Sequence, residues 1–68
     1  MFRVNLFKAK LVACGKSAKD VAVILGINEA TLYRKMNGKS DFTRNEIQIV
    51  RQALAMTTDE VENIFFAG

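Results

Sequence analysis

An all-α fold of about five short helices is what the 68-residue chain predicts, on three observations. Apolar residues recur at helical spacing in successive short segments, and no stretch of useful length alternates as a strand would. Three segments end at Gly15, Gly26 and Gly38. Three more positions pair a hydroxyl residue with a carboxylate three residues later: Ser17 with Asp20, Thr43 with Glu46, Thr57 with Glu60. That spacing lets the two side chains cap each other's backbone amides at a helix start.

The first helix is expected over about Asn5 to Cys14, where Phe7, Leu11 and Cys14 follow i, i+4, i+7. Phe2-Arg3-Val4 before it is a weak strand-like fragment, read as a frayed end. Ser17 opens the second helix, whose stripe of Val21, Ala22 and Leu25 closes at Gly26, a residue able to take the left-handed conformation that ends a helix. Asn28 then caps a third helix, Glu29 to Asn37. It holds Leu32 and Met36 on one face and Glu29, Ala30, Tyr33 and Arg34 on others. After the polar loop Lys39-Ser40-Asp41, closed by Phe42, a fourth helix of about Arg44 to Ala55 carries Ile47, Val50 and Leu54. A short fifth helix carries Val61, Ile64 and Phe65. The expected core is Phe7, Leu11, Cys14, Val21, Ala22, Leu25, Leu32, Met36, Phe42, Ile47, Val50, Leu54, Val61 and Ile64. Of Phe65 and Phe66, one is expected to face inward and the other outward.

Size and composition narrow the function classes. Residues 1–68 make one domain, with no linker, repeat or low-complexity segment, and too small to build an enclosed substrate cavity with its own supporting shell. A binding module is favoured over an enzyme. The absence of His and the single Cys leave no zinc finger, cysteine–histidine pair or disulfide framework. Cys14 is expected to be a small core residue in a reducing, cytoplasmic setting. Asp59, Glu60 and Glu62 sit together without a base or a ligand set, as a capped and solvated helix start would. Lys8, Lys10, Lys16 and Lys19 break any apolar run that could enter a membrane. No cofactor, metal, small-molecule substrate or membrane partner is therefore expected.

The net charge of +3 is mild, but its distribution is uneven. Residues 1–40 carry eight basic groups against Asp20 and Glu29, whereas residues 41–68 carry Arg44 and Arg51 against five acidic groups. The excess lies in the part of the chain that holds the second and third helices, where phosphates would be met. Their unit, residues 17–38, has the layout of a helix-turn-helix: two short helices about a tight Gly26-Ile27-Asn28 turn, one face of the second free to enter a DNA major groove.

The order of Val21-Ala22, Leu25-Gly26, Asn28, Thr31-Leu32, Asn37-Gly38-Lys39 and Ala53-Leu54 resembles the small phage-repressor and Cro-like helix-turn-helix family, which includes bacterial regulators of the xenobiotic-response-element type. The resemblance covers roughly residues 5–66. It implies a lambda-repressor-like fold and a transcriptional regulator that binds a double-stranded DNA operator, commonly as a homodimer, with the third helix in the major groove. Position by position, it implies base reading by Glu29, Ala30 and Arg34, with Arg34 suited to a bidentate bond to guanine. It implies phosphate contacts from Ser17, Asn28, Thr31, Tyr33, Lys35 and Lys39. The chain departs from the family in two places. Ala18 stands where many relatives carry a bracing Gln, and Val23 and Ile24 stand where relatives are polar. Together with Phe65 and Phe66 these apolar residues are candidates for a protein interface. The alternative reading is thus a modulator that uses the same fold to bind a repressor protein or another partner, as an antirepressor or antitoxin-like protein would.

Overall fold

Capping decides where the helices begin. The computed structural model describes residues 2–66, with α1 at Val4–Ala13, α2 at Ala18–Leu25, α3 at Glu29–Met36, α4 at Arg44–Ala53 and α5 at Thr58–Val61, which runs on into a π-helical turn, Glu62–Phe66. No strand occurs among the described residues. Ser17, Thr43 and Thr57 each accept from the amide three residues on, while Asp20, Glu46 and Glu60 bind back to the amide of the capping residue. Asn28 Oδ1 accepts from the Thr31 amide at 2.7 Å. The start of α1 has no side-chain cap. Its preceding residue is tied across the fold instead, the Arg3 amide donating to the Ile64 carbonyl at 2.8 Å. Phe2 and Arg3 are therefore anchored extended residues, not a frayed end.

The helices α1 to α4 end alike. In each, a residue at positive φ follows the helix, and the next amide reaches back to a carbonyl five residues earlier: Lys16 to Leu11, Ile27 to Ala22, Lys39 to Arg34, Met56 to Arg51. These bonds occupy carbonyls that the helix leaves free. Gly26, at φ 71°, needs its lack of a Cβ to do this. After α4 the same position is Ala55, at φ 50°. The fourth helix consequently stops at Ala53, two residues before the end expected from periodicity, and the reversal turns Met56 into the core at 5% exposure.

Phe7, Val21, Leu32, Val50 and Leu54 are the innermost side chains, and Leu11, Ala22, Met36, Met56, Val61, Ile64 and Phe65 complete the buried set. Cys14, Leu25, Phe42 and Ile47, expected inside, are half-buried and pack against its edge. The Cys14 thiol donates to the Leu54 carbonyl at 3.4 Å. One end of the core is aromatic: Phe2 lies 5.2 Å from Phe7, 4.9 Å from Phe42 and 5.3 Å from Phe65, between ring centroids. Phe42 and Phe65 meet edge-on at 5.3 Å, and pairs of this kind contribute about 0.5–1.5 kcal/mol beyond burial. The two chain ends and the loop before α4 are thus joined in one cluster. Phe65 belongs to it at 8% exposure and is corrected from interface to core, whereas Phe66 is 57% exposed. A regular turn would carry 65 and 66 on at 100° steps; the wider π turn still sends the first ring inward and the second out.

Candidate nucleic-acid interface

The α3 helix is held from behind and left free in front. Leu32, with no exposed surface, and Met36 seat it on the core, and the Gly26–Asn28 turn joins it to α2. Glu29 with Tyr33, and Ala30 with Arg34, are each four residues apart, so these exposed side chains form one outward stripe. Arg34 makes one long contact, Nη2 to Thr31 Oγ1 at 3.4 Å. It has no carboxylate partner among the described residues, where the ion pairs are Lys10–Glu60 and Lys35–Glu46. A guanidinium presented in this way retains its planar donor edge for an external acceptor.

The expected phosphate-contacting residues divide into two groups. Asn28 and Lys39 are exposed, Tyr33 is 43% exposed and Thr31 is half-buried beside Arg34. Tyr33 is part of the stripe, and the other three border it. Ser17 does not present free donors: its amide donates to Asp20 Oδ2 at 2.9 Å and its hydroxyl faces the same oxygen at 3.1 Å. Those bonds, the backbone one foremost, hold the Asp20 carboxyl below its ordinary pKa. A carboxylate already occupies the start of α2 where a phosphate would approach.

Lys35 is occupied more fully. Its ammonium pairs with Glu46 Oε1 at 3.0 Å, donates to the Asp41 carbonyl at 2.9 Å and lies 6.0 Å from the centre of the Phe42 ring. Its side chain is only 12% exposed. The residue clasps the end of α3 to the loop and the start of α4. Partial burial disfavours the Glu46 carboxylate, but the Thr43 amide and the Lys35 ammonium outweigh it and hold the group below its ordinary pKa.

Two lysines outside the expected contact set enter instead. Lys8 of α1 and Lys16 before α2 line a shallow depression of about 310 Å³ with Ser17, Tyr33 and Met36. Neither is ion-paired among the described residues. The signal lay in Lys8 preceding Leu11 by three residues, which puts it on the edge of the face that meets the other helices. Lys10 faces elsewhere, paired to Glu60 Oε2 at 2.8 Å, and that bond raises its pKa. The basic flank is therefore Lys8, Lys16 and Lys39 beside a stripe that ends at Arg34.

Val23 and Ile24 lie on the outside of α2, 73% and 40% exposed. Among the described residues no group of three or more acidic or cysteine side chains is placed to hold a metal ion. No helix there is long and apolar enough to cross a membrane. No protein-family model matches the chain, and no curated protein is significantly similar to it in sequence.

Proposed function

We propose that the α2–α3 pair works as a helix-turn-helix and that the chain is a sequence-specific double-stranded DNA-binding regulator of the phage or mobile-element repressor type, acting in the bacterial cytoplasm. The observation that carries this is the exposed Glu29–Ala30–Tyr33–Arg34 stripe, ending in a guanidinium with no carboxylate partner among the described residues, with Lys8, Lys16 and Lys39 beside it. In this reading α3 enters the major groove and Arg34 takes guanine O6 and N7. Glu29 accepts from cytosine N4 and Ala30 meets a thymine methyl. Asn28, Thr31, Tyr33 and the three lysines hold the backbone, setting register without reading sequence. The internal ties of Lys35 and Ser17 assign them to shaping the unit.

The experiment is a titration of labelled duplex at about 50 and 200 mM salt. Three or four neutralised phosphates give a fall in affinity of roughly 50- to 150-fold over that range, through counterion release. Absence of binding at the lower salt removes the reading. The second reading, a modulator that binds a repressor protein, is favoured by one feature, the exposed Val23 and Ile24 on α2.

A further inference from the structure

The turn that ends α3 holds an asparagine followed by a glycine, Asn37-Gly38, the one such pair in the chain. Both residues are exposed, and Asn37 lies just past the helix at φ −88° and ψ 6°. Gly38, at φ 79°, has no side chain to cover its own amide, and nothing lies within 4 Å of where a Cβ would stand. That amide donates to the Lys35 carbonyl at 3.2 Å, the long end of the hydrogen-bond range. Among the described residues nothing hydrogen-bonds the Asn37 carboxamide. The other asparagines differ. Asn28 Oδ1 is held by the Thr31 amide at 2.7 Å, Asn5 and Asn45 lie within α1 and α4, Asn63 lies in the π turn, and each of these is followed by a larger side chain.

We propose that Asn37 is a site of spontaneous covalent modification, deamidation through a cyclic imide formed with Gly38. Once a base has taken its proton, the Gly38 nitrogen attacks Asn37 Cγ; the Cγ–Nδ2 bond breaks and ammonia leaves, closing a five-membered succinimide. Water then opens the ring on either side. Breaking the bond from Cγ to nitrogen leaves an aspartate at position 37, and breaking the bond from the main-chain carbonyl carbon leaves an isoaspartate, whose chain runs on through Cβ and Cγ. One water is consumed and one ammonia released. Ring closure needs the Asn37 ψ to turn from 6° and the Gly38 amide to release the Lys35 carbonyl, and neither exposed residue is packed in a way that prevents it. Either product puts a negative charge near Lys39 at the C-terminal end of α3, where the helix dipole disfavours it. The isoaspartate also lengthens the main chain by one carbon inside the span closed by the Lys39 amide on the Arg34 carbonyl, at 2.9 Å, so the last turn of the helix loses that tie. The chemistry stands apart from the proposed reading of DNA, whereas its effect on DNA rests on that reading.

The test ages the full chain at physiological temperature in mildly acidic and in mildly alkaline buffer and maps its peptides by mass spectrometry. A gain of one mass unit is expected at Asn37, at least tenfold faster than at any other asparagine and at least tenfold faster in the alkaline buffer, since loss of a proton starts the reaction. Asn37→Gln, whose longer side chain would have to close a six-membered ring, is expected to stay unmodified and to keep the circular dichroism of wild type. Amide hydrogen exchange at Lys39 should quicken in aged wild type and not in aged Asn37→Gln. On duplex at about 50 mM salt, aged wild type should bind roughly threefold to tenfold more weakly than fresh protein, and aged Asn37→Gln as its fresh form does. An Asn37 that reacts no faster than Asn28 or Asn45, or a mass gain that survives Asn37→Gln, overturns the proposal. Modified protein with unchanged Lys39 exchange and unchanged DNA binding overturns its consequence for α3. Fresh protein that binds no duplex counts against the DNA reading alone, and the mass gain still decides the modification.

Discussion

Two junctions of this small molecule use one device at different depths. At the α3–α4 junction the capping carboxylate of α4, Glu46, also takes the Lys35 ammonium from α3; at the α1–α5 junction the capping carboxylate of α5, Glu60, takes Lys10 from α1. The first pair is 12% and 14% exposed, the second 19% and 35%. Lys35 has a second acceptor in the Asp41 carbonyl and the face of Phe42 beside it, whereas Lys10 has Glu60 alone. A charge held at several points and out of water fixes geometry; a single exposed bridge contributes little. The better-held junction is the one behind the proposed reading helix. The third capping box, Ser17 with Asp20, has no lysine partner among the described residues.

The largest effect is expected from removing what seats α3 on the core. Leu32→Ala leaves a cavity under α3 and should cost about 2–5 kcal/mol, read as a shift in denaturant midpoint. In a domain of this size that is a large share of the whole. A mutant as stable as wild type would mean that α3 is not seated as described.

Glu46→Gln comes next and should cost about 1 kcal/mol, since it removes the ion pair while keeping part of the cap. The pH dependence sharpens this. A carboxyl held below its ordinary pKa adds stability that is present above the unfolded value, near 4.5, and is lost as pH falls through the lowered folded value. Glu46→Gln should therefore flatten the acid limb of stability against pH, in proportion to this one group. An unchanged limb would assign the shift to Asp20 and Glu60, which are lowered too.

Lys35→Met separates clasping from phosphate contact. The side chain is occupied internally, so DNA affinity should fall with the salt slope unchanged, whereas Lys39→Ala should reduce that slope by about one. A slope lowered by Lys35→Met would return Lys35 to the backbone-contacting set.

The smallest effect is expected at the exposed junction. Lys10→Met should shift the melting temperature only slightly, and less at high salt than at low. Because the bridge raises the Lys10 pKa and lowers that of Glu60, its contribution is complete between about 4.5 and about 10.5 and is lost as pH rises beyond the raised lysine value or falls through the lowered glutamate one. A Lys10→Met penalty equal to that of Glu46→Gln would erase the difference between the junctions.

The helices were legible because their starts and stops are local chemistry: every capping box falls where the spacing put it, and three reversals fall on glycine. The fourth was hidden because Ala55 takes a left-handed conformation that alanine disfavours by about 1–2 kcal/mol, and with it Met56 was missed as core. Phe2 was missed because what holds the start of the chain, the Arg3–Ile64 hydrogen bond and the rings of Phe42 and Phe65, comes from distant residues. The candidate site divided on the same line. Exposure of Glu29, Ala30 and Arg34 follows from helix periodicity, but the capture of Lys35 by Glu46, eleven residues away across a loop, is tertiary. Sequence order set Arg34 and Lys35 side by side as DNA contacts of two kinds, and the fold left the first exposed and tied the second inward.

The proposed function rests on α3 reading bases through Arg34. Its most direct measurement compares wild type, Arg34→Ala and Lys39→Ala on a duplex enriched by the protein from a randomised pool, with each base pair substituted in turn. Arg34→Ala is expected to lose about 1–3 kcal/mol on the enriched site and to become indifferent at one G·C pair, while Lys39→Ala weakens every duplex nearly equally. An Arg34→Ala protein that keeps the full base preference of wild type would contradict it.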